Sequence, residues 1–244
     1  SVSAVNSISA SNFMVYVNGD SHSAGAEAVN SHCFAQDDPL YWGLGRQPHP
    51  DNERVSYGCH IANYLGAILY CDAESASSNA RIIRTTREYL ETNTPDLVII
   101  GWSTWEREEW LHDGQYWQIN AGGVGHDWPE EFKQAYPNWI IEKNYNVAMD
   151  HEHTRINNFH LDLLARKIPH LFFNTFVPFS NAHQLYWHDC YLYPYSDEFT
   201  YYNWCKQQGF KTVTPSSYHF GPDAHEAWSL FLFRTYSHSM LTAK

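Results

Sequence analysis

Short apolar runs that stop at turn residues recur along this chain, with helix-patterned segments between them. This alternation constrains the fold more than any other property of the sequence. Phe-Met-Val-Tyr-Val at 13–17 ends in Asn18-Gly19-Asp20-Ser21, which reads as a buried strand entering a turn. The small residues Ser23, Ala24, Gly25, Ala26 and Ala28 then suit a helix start packed close to that strand. Residues 32–54 are loop-like. Helical spacing resumes at 56–65, and 67–71 reads as a second strand. A Ser/Asn capping stretch at 75–79 leads into a helix over 80–91 with Ile82, Ile83, Tyr89 and Leu90 on its apolar side. Pro95 stops that helix, and Asp96 to Gly101 is the clearest buried strand. A long helix over 146–167, strands over 170–176 and 209–213, and a closing helix over 223–241 follow.

Strands alternating with helices favour parallel pairing through right-handed crossovers. The expected fold class is α/β: a three-layer α/β/α sandwich around a mainly parallel, flavodoxin-like sheet. No linker or internal repeat divides the chain. The expected organisation is a flexible arm at 1–12 and one domain over 13–244, with two aromatic-rich loop insertions at about 102–145 and 178–204.

Composition excludes other classes. The 244 residues carry 15 Lys plus Arg against 27 Asp plus Glu, a net charge of −12, which argues against binding through nucleic-acid phosphates. The 16% aromatic and 17% charged content argues against disorder. No run is long enough for a membrane span, and the first twelve residues have neither the basic start nor the apolar core of a signal peptide. The five cysteines are odd in number and include no C-x-x-C pair, which favours free thiols in a reducing compartment. The 15 His residues make the charge pH-sensitive.

In open parallel sheets, ligands bind at the carboxyl ends of strands. Here those ends carry Asp20-Ser21, the 75–79 stretch and Gly101 to Thr104, with the 214–225 segment nearby. A Ser on a strand-to-helix turn is surrounded by backbone N–H groups, which suits a nucleophile with part of an oxyanion hole. A His from the C-terminal segment suits its base.

Gly19-Asp20-Ser21-His22-Ser23-Ala24-Gly25 resembles the first block of the SGNH (GDSL-type) hydrolase superfamily. Ala73 to Ile82 resembles the second block, Pro95 to Gly101 the strand leading into the third, and His219 to Trp228 the last. The blocks occur in the family's order and span residues 13–230. The resemblance implies a Ser nucleophile at Ser21, a His base, oxyanion donors from the second and third blocks, and hydrolysis with no metal or cofactor. Asp20 takes the place of a residue that holds the turn.

The departures are specific. Ala76 stands at the second-block Gly and Ser103 at the third-block Asn. The family's Asp precedes its His by three residues, but Ser216 stands three before His219. For the alternative base His225 that position is Pro222, with Asp223 two before the His. His219 is the favoured base, with Ser216 or Asp223 as its candidate orienting partner. The expected oxyanion set is Ser21, Ala76 and Ser103. Asn79, Trp102, Trp105 and Glu106, which follow strand ends, are expected to line the substrate pocket.

Asp150-His151-Glu152-His153 and the His183, His188, Asp189 set have metal-ligand types but not helical ligand spacing, and read as solvated polar segments. Glu106-Arg107-Glu108-Glu109 reads as a solvated face apart from Glu106. The expected activity is ester hydrolysis or O-acyl transfer on a small or carbohydrate-linked ester. The rival reading is a catalytically impaired SGNH-like module that binds glycans or another chain through its aromatic loops. A looser resemblance to SGNH-like proteins of tailed phages accompanies that reading.

Overall fold

A computed structural model describes residues 12–31 and 48–241. Most of the expected arm and of the 32–54 loop, with Cys33, lies outside them. In chain order the elements are β1 (Met14–Asn18), α1 (Pro50–Glu53), α2 (Tyr57–Tyr64), β2 (Ile68–Cys71), α3 (Asn79–Thr92) and β3 (Leu97–Trp102). The hairpin β4 (Glu108–His112) and β5 (Gln115–Ile119), then α4 (Glu130–Glu142) and α5 (Tyr145–Ala165), come next. The chain closes with β6 (His170–Asn174), β7 (Tyr191–Leu192), α6 (Tyr201–Gln207) and α7 (Pro222–Leu241).

β2, β1, β3, β6 and β7 form one sheet in that spatial order, every pair parallel. Without the hairpin this is the 2-1-3-4-5 order of flavodoxin-like sheets, whose topological switch lies between β1 and β3. Side-chain alternation divides the strands between two cores. Val15, Val17, Leu97, Ile99, Leu171 and Phe173 pack with α2, α6 and α7 through Ile61, Tyr201, Trp228 and Leu232. Tyr16, Val98, Ile100, Trp102 and Phe172 face α3 and α5 through Ile82, Leu90, Ile156, Phe159 and Leu163. Helix, sheet and helix make three layers. All six residues of β3 are buried, as befits a central strand covered on both faces. Each of its large aliphatic side chains contributes about 1.5–3 kcal/mol by leaving water.

Three segments differ from the sequence reading. Residues 20–31 form successive turns rather than a helix. Residues 209–213 make no strand; Thr212 forms an isolated bridge to Phe220, and the fifth strand is β7, inside the supposed second insertion. Only two residues of β7 pair with β6, too short a run for periodicity to register. The first insertion is ordered as well. Asp113 and Gly114 take left-handed backbone (φ 47° and 77°) between paired His112 and Gln115, the Asp-Gly two-residue turn of a hairpin. Ile119, Phe132 and Tyr136 form a satellite core there, packed by Trp110, Trp117, Trp128 and Trp139. Many of the surplus aromatics therefore serve internal packing. Among the described residues, no helix is long and apolar enough to cross a membrane.

Candidate active site

The end of β1 is fixed before Ser21 is reached. Buried Asn18 accepts from Gly19 N (2.8 Å) and donates to Thr85 Oγ1 on α3 (2.8 Å), tying the strand end to that helix. Gly19 allows close approach to β3. A Cβ there would lie 2.9 Å from the Gly101 carbonyl and closer still to Ser23. Asp20 is fully buried and accepts from His22 N (3.0 Å) and His22 Nδ1 (3.1 Å). Burial pushes its pKa up, but His22 and Arg107 outweigh that and hold the carboxyl well below the usual range.

His219 Nε2 lies 2.8 Å from Ser21 Oγ. Its Nδ1 lies 2.5 Å from Glu27 Oε2, which also accepts from Ser217 Oγ at 2.6 Å. Ser217 Oγ in turn accepts from His219 N at 3.0 Å. The carboxylate requires the proton on Nδ1 and so leaves the Nε2 lone pair facing the Ser21 hydroxyl. Burial raises the Glu27 pKa, but the Ser217 and His219 hydrogen bonds bring it below the ordinary value. Burial and then His22 depress the His219 pKa, against the opposing pull of Glu27. A neutral imidazole between a carboxylate and a hydroxyl is the arrangement of a general base.

Sequence reasoning missed Glu27. The turns after Ser21 pass through left-handed backbone at Gly25 (φ 70°) and Glu27 (φ 62°), reversing the chain so that the carboxylate returns toward the nucleophile. The sequence signal was confined to an acidic residue among small ones, six positions past Ser21, where a helix had been expected. The two expected orienting residues lie elsewhere. Ser216 is exposed, with its hydroxyl 3.3 Å from Thr214 Oγ1, and Asp223 is exposed in the first turn of α7. His225 is buried among aromatic rings. Its Nδ1 accepts from Tyr57 N (3.1 Å) and its Nε2 faces Tyr201 OH (3.4 Å), away from Ser21; burial lowers its pKa to about 3.

The other strand ends converge on one guanidinium. Arg107 Nη1 donates to Ser103 Oγ (2.8 Å), Asp20 Oδ2 (3.4 Å) and Ser77 O (3.5 Å), linking the segments after β1, β2 and β3. Arg107, expected on a solvated face, is thus a site residue that its flanking glutamates concealed. Because Ser103 Oγ accepts from Arg107, its own O–H is left available as a donor. Asn79, expected to touch substrate, is buried and clamps the Ser103 backbone, accepting from Ser103 N (2.8 Å) and donating to Ser103 O (3.3 Å). Ala76 adopts φ 62°, the left-handed conformation that a Gly at this position would take without strain. Neither Ala76 N nor Ser21 N donates to a group among the described residues.

Trp102 and Trp105 do not form a surface rim. Trp102 is fully buried against Phe159 and Phe172, and Trp105 stacks on Phe179 with centroids 4.3 Å apart. Residues flanking a strand that is covered on both faces are drawn into its core. Glu106 is half-buried, and its Oε2 has no hydrogen-bond partner among the described residues. The aromatic wall next to the site comes from another direction. Phe176 lies 4.7 Å from the His22 ring, 5.0 Å from Tyr202 and 6.3 Å from Tyr218. Tyr202, Lys206 and Tyr218 border a groove of about 590 Å³ running along 210–218 to the residue before His219.

No family model and no curated protein matches the sequence. Comparison of folds finds a family 2 carbohydrate esterase with a carbohydrate-binding domain from Corynascus thermopiles (Myceliophthora fergusii). It is 15% identical at a TM-score of 0.45, over 95% of this chain and 67% of that one. The acetyl xylan esterase Est2A of Butyrivibrio proteoclasticus is 12% identical at a TM-score of 0.41, over 93% of this chain and 64% of that one. A putative GDSL-like lipase from Parabacteroides merdae is 11% identical at a TM-score of 0.39, over 93% of this chain and 96% of that one.

Proposed function

We propose that this chain is a serine ester hydrolase whose acyl-enzyme can also be resolved by an alcohol, giving O-acyl transfer. The observation that carries this reading is the continuous chain Glu27–His219–Ser21, with its 2.5 and 2.8 Å contacts. Ser21 Oγ attacks the ester carbonyl while His219 Nε2 takes its proton. Glu27 holds the Nδ1–H tautomer and balances the imidazolium that forms. Ser21 N, Ala76 N and the Ser103 hydroxyl donate to the oxyanion, and Arg107 keeps the three segments together. The protonated His219 then passes its proton to the departing alkoxide. Water, deprotonated by the same nitrogen, attacks the acyl carbonyl and frees Ser21.

The groove beside His219 favours a sugar-borne ester. Tyr202 and Tyr218 offer flat apolar faces for the C–H face of a pyranose and hydroxyls for its rim. Tyr218→Ala is expected to raise KM for an acetylated oligosaccharide about three- to tenfold while sparing a small aryl acetate.

Wild-type protein is expected to turn over an aryl acetate and to be labelled covalently by a fluorophosphonate. Ser21→Ala is expected to lose the label and roughly 10⁴-fold or more of the turnover. A folded wild-type protein with neither turnover nor label would overturn this reading in favour of a non-catalytic binding module.

A further inference from the structure

A second histidine cluster occupies the opposite, amino-terminal end of the sheet. His170 is the first residue of β6, His160 lies near the end of α5, and His188 and Cys190 belong to the turn that precedes β7. His170 Nε2 lies 2.7 Å from His160 Nδ1, and ligand atoms of His160, His170 and Cys190 all fall within 4.8 Å of one another. His160 is 0% and His170 6% exposed.

We propose that His160 Nδ1, His170 Nε2 and Cys190 Sγ bind a zinc-class divalent cation. Two nitrogens and a sulfur are a donor set that suits zinc and its spectroscopic substitute cobalt. The outer partners of both rings are already in place. His170 Nδ1 lies 2.8 Å from the Ile168 carbonyl, which fixes its proton there and turns the Nε2 lone pair inward. His160 Nδ1 donates to His170 Nε2 without the ion; on binding, His160 carries its proton on Nε2, 3.0 Å from Nδ1 of exposed His188, which then accepts and holds its own proton on Nε2, so that His160 Nδ1 is free for the ion. Ligating histidines are ordinarily oriented by such contacts. His188 and Asp189 both adopt left-handed backbone (φ 52° and 59°), and this unfavourable pair brings Cys190 and His188 to the same place.

The 2.7 Å ring contact is a hydrogen-bond distance. Tetrahedral zinc with nitrogens at about 2.0–2.1 Å holds them about 3.3 Å apart, so the rings part by roughly half an ångström on binding. Cys190 releases its thiol proton to solvent as the sulfur–metal bond forms. The half-buried Cys190 leaves the fourth position to water. Bound there, the ion ties α5, β6 and the 188–190 turn together far from Ser21.

The test uses the tag-free chain, stripped with a chelator and titrated with cobalt chloride. The expected result is one equivalent bound with visible tetrahedral bands and a near-ultraviolet thiolate-to-cobalt charge-transfer band, all displaced by zinc chloride. Cys190→Ser is expected to lose the charge-transfer band. His188→Ala is expected to keep it with about 10–100-fold weaker cobalt affinity. Zinc is expected to raise the Tm of the wild type but not of Cys190→Ser. X-ray absorption of the zinc-loaded wild type, which needs no variant to fold, is expected to show one sulfur at about 2.3 Å and two nitrogens. Absence of the charge-transfer band in folded wild type, its persistence in Cys190→Ser, or a zinc shell without sulfur would each overturn the proposal.

Discussion

The two ends of the parallel sheet each gather histidines, and they use them in opposite ways. At the carboxyl end His219 stands between a carboxylate and a hydroxyl, Glu27 and Ser21. The polarity of those neighbours gives its two nitrogens different tasks. At the amino end His160 stands between two other histidines, His170 and His188, with Cys190 close by. Among the described residues no carboxylate is hydrogen-bonded to these rings, and their nitrogens bond to one another and to the Ile168 carbonyl. The side chain is the same at both ends; in the two proposed roles its partners make it a proton acceptor at one end and a cation ligand at the other.

The substitution most able to break this contrast, short of removing Ser21, is Glu27→Gln. It keeps the shape but lets the imidazole take the wrong tautomer, and kcat is expected to fall about 10³–10⁴-fold. Ser216→Ala and Asp223→Asn are expected to leave kcat within about twofold, because both residues lie exposed and apart from His219. Kinetics on the three variants decides which residue orients the base.

A pH profile sharpens the comparison further. In the proposed mechanism the base works only when His219 is neutral, and burial together with His22 lowers its pKa from the ordinary 6.5. Turnover is therefore expected to hold at neutral pH and to fall only as pH drops below that value. Loss of the Glu27 carboxylate removes a group that favours the cation, so the acid limb of Glu27→Gln is expected to move lower still. A limb unmoved by Glu27→Gln would remove Glu27 from its proposed contact with the base.

A stability effect comes next. Burial raises the Glu152 pKa from 4.5 to about 7 in the folded chain. A carboxyl with a raised folded pKa contributes stability below its unfolded pKa and loses it as pH rises through the folded one. Wild-type stability is thus expected to decline between about pH 4.5 and 7, by about 3 kcal/mol from this group, and Glu152→Gln is expected to flatten the decline in denaturant titrations. The smallest expected effect is at Ala76, whose φ of 62° is unfavourable for a residue with a Cβ. Ala76→Gly is expected to raise Tm by about 2–4 °C without lowering turnover, since the backbone N–H remains.

How much was legible follows from how local each signal is. β1, β3 and β6 announced themselves because a strand covered on both faces needs an apolar run, and 13–17, 97–101 and 171–173 supply one. α3 was legible from spacing and its capping stretch, and α5 from the spacing of its apolar residues. β7 escaped because two residues carry no period, and the β4–β5 hairpin escaped although Asp113-Gly114 was a usable turn signal. Trp102 and Trp105 were misplaced because position after a strand says nothing about which way the chain turns next.

By itself the sequence determined the alternation of buried strands and amphipathic helices, and with it the layered α/β fold. It also presented Ser21 at a strand end and His219 in the segment that reaches it, because these depend on composition within a few residues. Only the tertiary structure decided the partners. Glu27 reaches His219 across 192 residues of chain, and Arg107 reaches Asp20 across 87. Such contacts depend on how turns aim a side chain through space, and a left-handed φ at Glu27 leaves no pattern that reading along the chain can detect.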